Sequence, residues 1–433
     1  MLFRKVDALI EAYLTDNSGN ALLIEGARRV GKTYTARNAA YHLFKSRFEI
    51  NLLDDYNGDR MFANVKTETD FYLRLNSITG NKLNYKGPAI VLLDDIHVYP
   101  QLIPLLDQLA EAGDFRYIAC SSISGLVSPS MEHISTIKMY PLDFEEFLYA
   151  NGYSTYTVNS MRKAFDSLKP LSDSAHRDIM HTFLRYLIVG GLPDSINTYI
   201  ADELLRYTAK PKSDVFCIHH TDIAEYDRAN NRKALRVYDC IPAAMRRKKK
   251  RIVAQYIEGV KGKKLTAYRK EFDYLSRSGV VLRSRAVSAP LFPLSANVDS
   301  DLIKLYLCDH GILSSLLYSS DTHIILAGKC SIPLNAVFET AVAGELAAHG
   351  HGLFYYDNRN NGEVDFLIED VANSSVIPIV VKSGKDYSVH SAISTLVSSG
   401  DYPVERAYIL SNKSNVSVKG KVIHIPVYYA MFL

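Results

Sequence analysis

"IEGARRVGKTYT", residues 24–35, decides how the chain is read, because Gly26 to Thr33 within it spell G-x-x-x-x-G-K-T. Such a loop has meaning only between a buried strand and a helix. "NALLIE" (20–25) before it is a short apolar run, and "TYTARNAAYHLFKS" (33–46) after it reads as a helix. Gly26 and Gly31 let successive N–H groups turn inward on phosphate oxygens, and the helix N-terminus adds partial positive charge. The expected cradle runs through Gly26, Arg28, Arg29, Val30, Gly31, Lys32, Thr33 and Tyr34. Lys32 reaches for the β- and γ-phosphates, and the Thr33 hydroxyl for Mg²⁺. ATP and Mg²⁺ are therefore the cofactors the sequence asks for.

Working outward, "AIVLLDDIHVYPQLIPLLDQL" (89–109) supplies a second buried strand ending in Asp94 and Asp95. Asp94 is the expected metal ligand. Asp95, with Lys32, is the expected catalytic residue, placed to orient an attacking water. A third strand, "FRYIACSS" (115–122), ends in Ser121 and Ser122, hydroxyls with reach to that water or to the γ-phosphate. With "RFEINLLD" (47–54) these predict a parallel sheet of at least four strands flanked by helices.

Bulk properties narrow the class. The chain has 433 residues, room for two or three domains, with ordinary hydrophobic (47%) and charged (22%) fractions. No run reaches the ~18 apolar residues of a membrane span. The five cysteines, Cys120, Cys217, Cys240, Cys308 and Cys330, form no C-x-x-C pair. A reducing, cytoplasmic setting without structural zinc is expected. Net charge is +3, yet residues 246–270 hold eleven Lys and Arg against Glu258 alone, so the remainder is acidic. Within that tract Arg246, Arg247, Lys248, Lys249, Lys250 and Arg251 read either as a nucleic-acid contact or as a solvated face.

In "LTAYRKEFDYLSRSGVVLRSRAV" (265–287), Tyr268, Phe272 and Leu275 make one apolar helix stripe; Gly279 stops the helix and an alternating strand follows. The pattern resembles a winged helix-turn-helix.

The ordered set of motifs resembles prokaryotic AAA-type P-loop ATPases that carry a C-terminal nuclease-like domain of unknown function. "GARRVGKT", "VLLDDIH", "MYPLDFEEFL" (139–148), "VGGLPDSI" (189–196), "KLYLCDHGILSSLL" (304–317), "FETAVAGELAAHG" (338–350), "EVDFLI" (363–368) and "PIVVKSG" (378–384) follow in family order. The resemblance implies an ATPase domain over 1–200, a winged-helix-like connector over 201–290 and a PD-(D/E)XK-like α/β domain over 291–433. Asp95 takes a position the family usually gives to Glu, and His97 that of a glutamine. Asp94–Asp95 and the Gly-Leu-Pro of 191–193 also resemble the STAND switch ATPases, which implies Pro193 near the adenine; a helix-terminating turn is the alternative.

A nuclease of the PD-(D/E)XK type needs two acids and a lysine around its metal. By resemblance these are Glu339, Asp365 and Lys382, with Val380 standing where the second strand acid belongs, and Glu363 as a substitute from nearby. Valine cannot ligate a metal, so an inactive domain serving partner or nucleic-acid binding is expected. The expected function is a slow Mg-ATPase acting as a conformational switch. The alternatives are an ATP-gated metal-dependent nuclease and a non-hydrolysing ATP-binding interaction protein. A protein partner and an oligomer both stay open.

Overall fold

The computed structural model describes residues 2–16, 21–80, 89–228, 230–259, 262–318, 325–326, 334–358, 362–383, 391–398, 400 and 402–433. Asn20, Lys261, Cys330 and Gly384, which belong to stretches quoted above, lie outside these. The chain forms two compact units. One is Phe3–Met139 with Arg277–Gly279; the other holds Tyr140–Ser276 and Val280–Leu433. The boundary at Met139 falls inside the 1–200 span drawn from the sequence.

The first unit is a five-stranded, wholly parallel sheet. Its strands are β1 (Ala21–Glu25), β2 (Ser46–Asn51), β3 (Ala89–Asp94), β4 (Arg116–Ser121) and β5 (Ile134–Lys138), in the order β2-β3-β4-β1-β5. β1 is buried at every residue, as a central parallel strand covered on both faces must be. β2 lies at an edge and alternates, with Arg47 and Glu49 outside the core. Helices Lys32–Leu43 and Leu102–Ala112 contact the sheet, the latter burying six residues. Ligands of such sheets bind at the carboxyl ends of the strands. β4 separates β1 from β3 here, so the ends of those three strands define one rim.

The second unit is built on an eight-stranded mixed sheet. β6 (Val281–Val287), β7 (Val298–Leu307), β8 (Phe354–Asn358), β9 (Gly362–Asp370), β10 (Ser375–Val381), β11 (Ala407–Ser411), β12 (Ser417–Lys419) and β13 (Val422–Pro426) run in the order β12-β13-β11-β10-β9-β8-β6-β7. Helix Asn335–Ala348 buries eleven of its fourteen residues, which explains why its sequence lacks a polar face. The strand read from the sequence as a wing is β6. It pairs antiparallel with β7 and also parallel with β8, so residues 201–290 donate a strand to the C-terminal sheet.

Candidate functional site

The rim of the first unit gathers the residues singled out in the sequence. Helix Lys32–Leu43 starts directly from the loop, with Gly31 at φ 102° as its N-cap. Gly26 is needed for a different reason: a Cβ there would run into the Met139 carbonyl oxygen. Arg4, which sequence reasoning missed, donates from Nη1 to the Val30 carbonyl at 2.9 Å and pins the loop from the N-terminal helix. An arginine ahead of an amphipathic helix gives no signal of that contact.

Lys32 is 6% exposed, and its ammonium donates to the carbonyls of Gly26 and Ala27, both at 2.9 Å, and to Ser122 Oγ at 3.4 Å. Burial pushes its pKa down, with Asp95 and Asp94 among the charges that oppose the shift. Thr33 Oγ1 donates to Asp94 Oδ2 at 2.8 Å. Burial raises the Asp94 carboxyl, while the Thr33 hydroxyl bond holds it down. Thr33 and Asp94 thus share the point where a hard cation would sit, with oxygen donors of the type Mg²⁺ takes. The residues fit both ATP and Mg²⁺.

Asp95 sits in left-handed backbone, φ 53° and ψ 42°, a region Asp tolerates better than most residues. It is 14% exposed and meets two partners, Arg28 Nη2 at 3.8 Å and Ser122 Oγ at 3.4 Å, with the His97 ring beside it. Ser122, carried there by β4, therefore touches both Lys32 and Asp95. Tyr34 is 57% exposed, and Arg29 holds a positive φ of 67° on the outer turn of the loop. Pro193 belongs to the other unit, where it opens helix Pro193–Asp202. Gly279, read from sequence as a helix stop, has a second constraint: a Cβ there would lie 2.7 Å from the Ala27 backbone nitrogen. Its neighbour Arg277 exchanges hydrogen bonds with Ser124, so this short turn lies against the loop.

His97 Nδ1 accepts the Ser122 N–H at 3.4 Å, which leaves the ring proton on Nε2. Burial, reinforced by Lys32 and Arg28, lowers its pKa from 6.5 to about 4. The native state then binds fewer protons than the unfolded chain between those values, so stability falls as pH drops through that window. His97→Gln is expected to remove a slope of up to about 1.4 kcal/mol per pH unit. Denaturant titrations of both proteins across that range check it; parallel curves would contradict it.

In the second unit the expected nuclease residues are rearranged. Glu339 is flanked by Lys250 Nζ at 2.7 Å, Lys304 Nζ at 3.1 Å and the Tyr306 hydroxyl at 2.6 Å. Lys304, with its side chain fully buried, also meets Glu363 at 2.5 Å. Burial would raise Glu339, but the two ammonium groups outweigh it and hold it low. Asp365 is raised by burial and by Glu339, and its Oδ2 accepts the Val381 N–H at 2.8 Å. Lysines thus stand where a metal would balance these carboxylates.

Lys382 does not join them: its backbone donates to Leu410, and among the described residues its side chain has no ion pair. Val380 belongs to the same apolar cluster as Val364, Leu367, Ile393 and Ile409, whereas Val381 belongs to the cluster containing helix Asn335–Ala348. Alternation along β10 thus turns Val380 away from Glu339. The expectation that Glu339, Asp365 and Lys382 converge beside Val380 is corrected accordingly. Val380→Glu should cost about 3–5 kcal/mol by burying an unpaired charge and should create no metal-dependent cleavage. Chemical denaturation and a plasmid-nicking assay check the two halves.

The basic run 246–251 is partly engaged within the fold, although Arg246, Lys248 and Lys249 stay exposed. Lys249 and Arg251 pair with Asp357 at 2.9 and 3.3 Å, and Lys250 with Glu339. Arg246 donates to the Leu317 carbonyl at 2.7 Å, and Arg247 lies over the Tyr256 ring. Of the six, Lys248 alone has no such partner among the described residues. Charge density could not reveal this, but Lys304 left a trace: it interrupts the apolar strand "LIKLYL".

Comparison with protein families agrees with this geometry. An AAA domain matches residues 18–148, a domain of unknown function (DUF8612) residues 180–323, and a second (DUF4143) residues 334–429. The chain therefore carries an AAA-type P-loop ATPase domain followed by two domains whose function is not established. Among solved structures, a Walker-type ATPase of Pyrococcus abyssi is 13% identical, with 73% of this chain and 96% of that chain covered at a TM-score of 0.46. PCH-2 of C. elegans is 15% identical, with 46% and 68% covered at a TM-score of 0.26. No curated protein matches. Among the described residues no helix is long and apolar enough to cross a membrane.

Proposed function

We propose that the chain binds Mg-ATP at the Gly26–Thr33 loop, hydrolyses it slowly, and uses the two nucleotide states as a conformational switch. The observation that carries the reading is the Thr33–Asp94 hydrogen bond of 2.8 Å beside the buried Lys32 ammonium. When bound, Mg²⁺ neutralises charge building on the phosphates. Lys32 is held by two loop carbonyls and needs only to turn from them to face an anion. Thr33 and Asp94 supply oxygen ligands. Asp95 is placed to accept hydrogen bonds from a water, and Ser122 keeps that carboxylate in line with Lys32.

Slow turnover follows from reach. An aspartate at 95 is one methylene, on the order of 1.5 Å, short of a glutamate, and a displacement of ~1 Å can cost on the order of 10²-fold. Asp95→Glu is expected to raise kcat, at a cost of about 1 kcal/mol in stability because Glu suits left-handed backbone poorly. Asp95→Asn should lower kcat at unchanged nucleotide affinity. A faster Asn variant in a steady-state phosphate assay would remove Asp95 from the mechanism.

For the rest of the chain we propose a winged-helix-like connector over 201–290 and a PD-(D/E)XK-like domain over 291–433 without nuclease activity. Helices Lys233–Met245, Ala254–Glu258 and Arg269–Arg277, followed by the antiparallel pair β6–β7, support the first. The saturation of Glu339 and Glu363 by Lys250 and Lys304 supports the second, and argues against the ATP-gated nuclease. Lys249, Lys250 and Arg251 are paired with carboxylates of the fold, which halves the charge that run can offer to phosphates. We therefore favour a protein partner over a nucleic acid.

A further inference from the structure

A pocket in the second unit lies far along the chain from the nucleotide loop. It opens between the end of helix Asp173–Val189, helix Ala209–Tyr226 and helix His310–Tyr318, with about 490 Å³ of space continuous with solvent. Ile188, Leu205 and Tyr318 give it mainly apolar walls.

Lys212 lines the same pocket and is only 3% exposed. An ammonium carries three donors. Among the described residues this one makes a single hydrogen bond, to the Ile188 carbonyl, and no ion pair. The carboxylate that acts on it electrostatically, Asp309, is committed elsewhere: it accepts the Gly191 N–H at 2.6 Å and the Ile312 N–H at 2.9 Å. Burial accordingly pushes Lys212 down to about 8, against the pull of Asp309. Buried charges are ordinarily paired, because leaving one unpaired costs several kcal/mol. Capping the Ile188 carbonyl uses one donor of three and does not need a charge.

Arg206 also lines the pocket, from an exposed position with its guanidinium laid over Tyr207, and the rest of the polar lining is neutral. Ser314 and Ser315 line the pocket, and neither hydroxyl makes a hydrogen bond among the described residues. One buried cation, two free hydroxyls and apolar walls suit a single negative charge on a short apolar body. They suit a phosphate dianion less well, since the second cation of the lining, Arg206, is solvent-exposed and engaged with Tyr207. We propose that this pocket binds a small carboxylate, its carboxyl group paired with the Lys212 ammonium and its apolar body against Ile188, Leu205 and Tyr318.

Calorimetry of the full chain with hexanoate and, separately, inorganic phosphate tests it. Hexanoate should bind with Kd below ~1 mM, at least tenfold tighter than phosphate. Lys212→Met should weaken hexanoate at least tenfold. Ser315→Leu, which fills the pocket at a half-buried position and leaves Lys212 intact, should do the same. If Lys212→Met does not fold, the wild type and Ser315→Leu decide. No heat and no rise in Tm with ~10 mM hexanoate, tighter binding of phosphate, or wild-type affinity in Ser315→Leu would each overturn the proposal.

Discussion

Lys32→Ala should lose at least 100-fold in ATP affinity by calorimetry while keeping its fold. Lys32 is the one ammonium built into the loop, and its present partners are the Gly26 and Ala27 carbonyls and the Ser122 hydroxyl. None of these is a carboxylate, so no strong ion pair must break before a phosphate is met. Loss of a charge-assisted contact in a water-poor site is worth more than a neutral hydrogen bond, and the β- and γ-phosphates offer the Lys several acceptors. The folded state, by contrast, should tolerate the change, because burial already makes the charge costly. Far-UV circular dichroism and Tm within a few degrees of wild type would verify that the fold survives. Undiminished ATP affinity would mean that the loop is not the site.

Lys304→Met should be the most destabilising single change in the C-terminal sheet, by about 3–5 kcal/mol. Its ammonium is fully enclosed and balances Glu339 and Glu363 together, with Asp365 close enough to feel both charges. Removing it leaves carboxylates facing Lys250 alone. Glu339→Gln added to Lys304→Met should recover part of the loss, with a coupling of about 1–3 kcal/mol. Because the chain has two compact units, hydrogen exchange at β7 and helix Asn335–Ala348 is the appropriate readout, rather than one global transition. Additive losses would mean that the cluster is not the interdependent group the distances indicate.

The nucleotide rim was legible from sequence because its parts are local. Strand, loop and helix are contiguous around Gly26–Thr33, and Asp94–Asp95 end a strand whose apolar run is unambiguous. The insertion of β4 between β1 and β3, which brings Ser122 to Lys32 and Asp95, depends on strand order and has no local signature. The C-terminal cluster was less legible for the same physical reason. Lys250, Lys304, Glu339 and Glu363 come from four separate segments, and their pairing is decided by tertiary packing. A run such as 246–251 advertises charge but not partners, so the sequence alone could not distinguish free charges from those paired within the fold. Val380 illustrates a subtler limit: motif alignment identifies the position, whereas the alternation of β10 decides which face it serves.

In the proposed function, the rim of Lys32, Thr33, Asp94 and Asp95 hydrolyses ATP. Steady-state phosphate release from the full chain with ATP, with and without Mg²⁺, tests it most directly when run beside Asp95→Asn. Slow, Mg²⁺-dependent turnover is expected in the wild type, falling at least tenfold in Asp95→Asn at unchanged ATP affinity. Phosphate release that is absent from the wild type, indifferent to Mg²⁺, or undiminished in the variant would contradict it.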